Sequence, residues 1–151
     1  MVGDRRAEPV PLEPRLGHLL ERAGSALARA SARALVPYGV DVRELGVLAV
    51  LAGEEPLSQG EAAGRLGVDR TTMVSLLDGL EDHGLVERRR GAPDRRRNIV
   101  GLTDAGRVCL ERAQAARSAA ERRFLAPLEE RAAVALLDAL RTLVAADPAG
   151  R

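Results

Sequence analysis

The sequence predicts a mainly α-helical protein, with a lobe of short capped helices ending in a small β-hairpin and long helices at both ends of the chain. Three observations predict it. Apolar residues recur at steps of three and four over most of the chain, the period of an amphipathic helix. Helix start signals alternate with glycine stops between residues 41 and 84. The stretch that breaks this pattern, 85–102, holds two short β-prone runs joined by turn residues.

Residues 1–11, with Pro9 and Pro11 and no periodicity, are expected to form a flexible tail. From Leu12 onward, Leu16, Leu19, Leu20, Ala23, Leu27, Ala30 and Ala34 mark a long helix that ends before Pro37. Asp41 and Glu44 have capping-box spacing for a second helix, whose buried face is Leu45, Val47, Leu48 and Leu51. Ser58 and Glu61 repeat that spacing and open a short helix closed by Gly67. Asp69 caps the next helix, over 70–83, which Gly84 stops. Two capped helices joined around a glycine make a helix-turn-helix, although an ordinary αα corner has the same spacing.

The segment after Gly84 separates the two. Strand candidates at 85–88 and 98–102 flank an arginine-rich segment with Gly91-Ala92-Pro93-Asp94 as turn chemistry, and a helix-turn-helix followed by such a hairpin is a winged helix. Thr103 then caps a helix over 104 to about 123, with Ala105, Val108, Cys109, Ala113, Ala116 and Ala120 on one face. Pro127 reads as a first-turn residue of a last helix, whose Leu128, Ala132, Leu136, Leu137, Leu140, Leu143 and Val144 give a wide apolar stripe. Faces this broad on a thin layer call for a second copy. Segments 12–38 and 104–147 are therefore expected to form a helical dimerisation region and 39–103 the winged lobe of a twofold homodimer.

Composition excludes several function classes. The 151 residues are 46% apolar, enough for a core, but the aromatics are only Tyr38 and Phe124, too few to line a large aromatic cofactor pocket. No cofactor is expected. One cysteine, Cys109, excludes an internal disulfide or CxxC zinc site and reads as a small buried apolar residue. With only two histidines, no metal site is expected, and no catalytic Ser-His-Asp order or glycine-rich phosphate loop is legible. No apolar run approaches the roughly 18 residues of a membrane span. The opening residues lack a signal-peptide core, so a cytoplasmic protein without a membrane partner is expected.

Charge is distributed unevenly. All 23 basic residues are arginine and 22 residues are acidic, for a net charge of +1. Within 85–100, six arginines face Glu87 and Asp94, a local +4 that leaves −3 on the remainder. A basic tip on an acidic body is the footprint of a polyanion-binding element, although a charge run is also what a solvated loop looks like. On the helix after Asp69, Met73, Leu77 and Leu80 repeat at core spacing. Arg70, Thr71, Thr72, Ser75 and Leu76 are then expected outward at its amino-terminal end, where recognition helices meet base edges. Thr71 and Thr72 also suit mere support of the helix start. Arg88, Arg95 and Arg97 are expected at phosphates. Arg89 and Arg90 fit a solvated face as well as a contact.

From Leu57 to Gly106 the sequence resembles the MarR family of bacterial transcription factors. The resemblance rests on Leu66-Gly67-Val68-Asp69-Arg70-Thr71-Thr72 and Leu80-Glu81-Asp82-His83-Gly84-Leu85-Val86-Glu87-Arg88. It continues in Asp94-Arg95-Arg96 and Leu102-Thr103-Asp104-Ala105-Gly106. It implies a dimer through the terminal helices and repression of transcription, relieved by a small-molecule effector. It also implies that Arg96 enters the minor groove of double-stranded DNA, oriented by Asp94. Effector contact is implied near the corner after the first helix, with Tyr38 and His18 as candidates, although packing is the better account of Tyr38. The alternative from another class is a winged-helix module whose basic tip binds an acidic protein surface.

Overall fold

The computed structural model describes residues 15–53, 55–90 and 98–147, and of Arg90 and Asn98 the backbone alone. Helix α1 (Leu16–Leu35) runs into a 3-10 turn (Val36–Tyr38), followed by α2 (Val42–Leu51), strand β1 (Leu57–Ser58), α3 (Gln59–Leu66) and α4 (Arg70–Asp82). Strands β2 (Val86–Arg90) and β3 (Asn98–Leu102) form the hairpin, and α5 (Asp104–Leu125) and α6 (Glu130–Ala145) complete the order. The expected tail over 1–11 and the helix start at Leu12 lie outside the described residues.

Local chemistry sets the lobe. Asp41 and Glu44 close a reciprocal capping box on α2, as Ser58 and Glu61 do on α3, each satisfying amide groups that a helix start leaves without partners. The expected inner face of α2 is buried, and Met73, Leu77 and Leu80 of α4 are each at most 1% exposed in the same core. Gly84, at φ 69°, takes the left-handed conformation that lets the Leu85 amide donate back to the Leu80 carbonyl at 2.9 Å and ends α4. The sheet order is β1-β3-β2, antiparallel throughout, with Val86 opposite Leu102 and Arg88 opposite Val100. Strand β1, absent from the sequence expectation, pairs Leu57 with Val100 and ties the start of α3 to the wing.

Two expectations about the carboxyl-terminal half are corrected. On α5 the buried positions are Gly106, Leu110, Ala113 and Ala120, whereas Ala105 and Val108 are exposed. Ala113 and Ala120 are buried as expected, and the buried stripe is turned about a fifth of a turn from the expected one, towards Gly106 and Leu110. Pro127 is not in the first turn of α6. It sits in the turn after α5, where the Leu128 amide donates to the Leu125 carbonyl at 2.9 Å, and α6 begins at Glu130 behind Glu129. No residue of α6 is buried, and its Val134, Leu137, Leu143 and Val144 are exposed, as are Leu16, Leu19 and Leu20 at the start of α1.

The start of α5 is pressed against the end of α4. The Thr103 amide donates to the Leu85 carbonyl at 3.1 Å and its hydroxyl to the Gly84 carbonyl at 2.6 Å, while that hydroxyl accepts from the Gly106 amide at 3.0 Å. A Cβ on Gly106 would stand 1.9 Å from the Leu85 carbonyl oxygen, inside any tolerable contact. Gly106→Ala should therefore destabilise the protein by about 1–3 kcal/mol, the usual cost of overpacking. A helical glycine with free space around it would gain about 1 kcal/mol from the same change. Urea unfolding of the two proteins gives the sign directly.

Candidate nucleic-acid interface

The helix-turn-helix presents the amino-terminal end of α4. Asp69 caps it, its carboxylate accepting from the Thr72 amide at 2.9 Å and from the Thr72 hydroxyl at 2.6 Å. The Thr72 hydroxyl bond, reinforced by the amide, holds the Asp69 carboxyl below its ordinary pKa. Of the outward candidates, Arg70, Thr71 and Ser75 are exposed on α4. Thr72 is committed to the cap and half-buried, so its hydroxyl supports the helix start. Leu76, expected outward, packs against the core, and Val74 takes its place on the exposed face. Arg70 lies across the start of α3, its Nη2 3.8 Å from where a Cβ on Gly60 would stand.

The hairpin meets the carboxyl-terminal half of α4. Strand alternation sends Glu87 and Arg89 to one side, where they pair with each other, and Val86 and Arg88 to the other. Arg88, expected at a phosphate, is instead held by two carboxylates of α4, Nη1 to Glu81 and Nη2 to Asp78. Burial disfavours its charge, but the two carboxylates outweigh burial and push the guanidinium pKa above its ordinary value. Asp94, Arg95, Arg96 and Arg97 fall in 91–97, outside the described residues, between the cross-strand partners Arg90 and Asn98.

The two effector candidates do not meet within one protomer. Tyr38 packs half-buried against the core beside a hollow of about 450 Å³ lined by Leu85, Val108, Cys109 and Arg112. His18 is exposed on α1, roughly 25 Å of helix away. Val108 was expected on the apolar stripe of α5, and Asp104 and Arg112, which also line the hollow, were not singled out. Cys109 donates weakly to the Tyr38 carbonyl at 3.8 Å, and burial, then the negative charge of Glu44, raises its thiol pKa. Among the described residues no cluster of His, Cys, Asp and Glu suits a metal ion, and no helix is long and apolar enough to cross a membrane.

A helix-turn-helix with its second helix exposed at the amino-terminal end, backed by an arginine-bearing hairpin, defines a winged-helix DNA-binding protein. A sequence model of the MarR family matches residues 38–97. The HTH-type transcriptional repressor Rv2887 of Mycobacterium tuberculosis is 36% identical over 113 residues, covering 75% of this chain and 81% of the relative. The chain belongs to the MarR family of transcriptional regulators. Among solved structures, the repressor CouR bound to a 23-mer DNA duplex superimposes with a TM-score of 0.76 at 34% identity, covering 86% of this chain and 92% of that one. CouR from Rhodococcus jostii RHA1 bound to p-coumaroyl-CoA gives 0.68 at 33% identity, covering 84% and 90%.

The cap on α4 should respond to pH in one direction. With its pKa below the ordinary 3.8, ionised Asp69 stabilises the fold above that value, and the contribution is lost as pH falls through the folded-state pKa. Asp69→Ala should lower the melting temperature at pH 7 and narrow its difference from wild type towards pH 3. A difference that stays constant across this range would contradict the cap.

Proposed function

We propose that this chain is a repressor that binds a palindromic operator as a homodimer, in the cytoplasm, and leaves it when a small molecule binds. It acts by binding and not by catalysis. The observation that carries the reading is the exposed amino-terminal face of α4, with Arg70, Thr71 and Ser75, and three further arginines lie in the sequence between β2 and β3. In this reading Thr71 and Ser75 approach base edges in the major groove and Arg70 a phosphate. Arg96, set by Asp94, reaches into the minor groove, and Arg95 and Arg97 hold the flanking backbone.

The unburied apolar faces of α1 and α6 support assembly through 12–38 and 104–147, which would set two α4 helices one turn of DNA apart, about 34 Å. The hollow beside Tyr38 is the candidate for the effector, with Val108 offering an apolar surface and Asp104 and Arg112 offering charges of opposite sign. His18 has no part in that hollow within one protomer.

Sedimentation at micromolar concentration should give twice the 16.1 kDa chain mass. A gel shift on the DNA flanking the gene should show a specific complex. Arg70→Ala and Arg96→Ala should each shrink the slope of log K against log salt by about one unit. Ser75→Ala should leave the slope and relax discrimination at one or two symmetric operator positions, by about 1–3 kcal/mol each. A stable monomer, or an Arg96→Ala protein with unchanged slope and affinity, would overturn the corresponding part.

A further inference from the structure

We propose that Arg88 is a positioning residue that clamps the recognition helix to the wing and thereby sets operator specificity, instead of holding a phosphate. Its place in the strand dictates its direction. Arg88 lies two residues beyond Val86 and opposite Val100, both 2% exposed, so it stands on the inner face of the wing. Its neighbour Arg89 points the other way, pairs with Glu87 and stays 74% exposed, against 21% for the Arg88 side chain.

The two ends of the guanidinium reach different carboxylates, Asp78 and Glu81, three residues apart and so on one face of α4. A planar fork bonded at both ends fixes the rotation of a strand against a helix in a way that one ion pair does not. It also places a positive charge between two acidic groups on the helix that must approach DNA. With Arg88 engaged, α4 and the hairpin approach the duplex as one unit.

This inference rests on DNA reading by α4 and the wing, and the test distinguishes the two. Affinities for an operator duplex and a scrambled duplex are measured by fluorescence anisotropy at fixed salt, for the full-length dimer. Arg88→Lys keeps the charge that a phosphate would need but cannot span both carboxylates. The operator preference should fall about tenfold. Asp78→Asn combined with Glu81→Gln leaves Arg88 in place and adds two units of positive charge. Binding to the scrambled duplex should tighten while the operator preference falls by a similar factor. The second variant keeps the proposal testable should the first fail to fold, as judged by thermal melts. An unchanged operator preference in either folded variant overturns the clamp. A wild-type protein with no operator preference overturns instead the reading on which the clamp rests.

Discussion

The geometry of the reading surface depends on two adjacent backbone carbonyls, Gly84 and Leu85. Both accept hydrogen bonds from Thr103, one from its hydroxyl and one from its amide, at the point where α4 has ended and β2 has not begun. The missing side chain at Gly106 lets α5 come close enough for those bonds to form. Recognition helix, wing and long helix therefore share one joint. Close packing makes such a joint a poor shock absorber, so a displacement of α5 is passed on to the other two elements. The hollow beside Tyr38 includes Leu85 from the joint and Val108 and Cys109 from the first turns of α5. On the proposed function, an occupant of this hollow would bear on α4 and the wing.

The parts of the fold that were legible in the sequence are those decided locally. Capping boxes at Asp41–Glu44 and Ser58–Glu61, the Asp69 cap and the stop at Gly84 all involve residues a turn apart, so spacing alone locates them. Strand β1 escaped because two residues carry no period and their partners lie about forty residues away on β3. The face of α5 was right at Ala113 and Ala120 and wrong at Ala105 and Val108, because alanine makes several stripes look equally apolar and which one is buried depends on the neighbours. Gly106 alone was no signal, since Gly17, Gly24 and Gly64 also lie inside helices and have open space around them. Pro127 stops one helix as readily as it starts another, and the order of elements does not say which.

The site was legible as a region and less so residue by residue. Counting 85–100 as one basic stretch overlooked the alternation of a strand, which sends Arg88 inward in step with Val86 and Arg89 outward. Thr72 stands three residues after Asp69, the spacing of a cap partner, and that signal was present beside the one that suggested base contact. The separation of His18 from Tyr38 follows from helix length and needed only the 1.5 Å rise per residue. Arg112 gave no signal at all, because nothing local distinguishes an arginine beside a hollow from one in water.

The pairing of Arg88 bears on how such a protein finds its site among the rest of a genome. Random DNA holds a regulator through unpaired cations that displace counterions, and a genome offers millions of competing positions. On the proposed clamp, a guanidinium paired with Asp78 and Glu81 would offer less charge to a chance phosphate than a free one. The reading face would then be less sticky than its arginine count implies, and each encounter with the wrong sequence would be shorter.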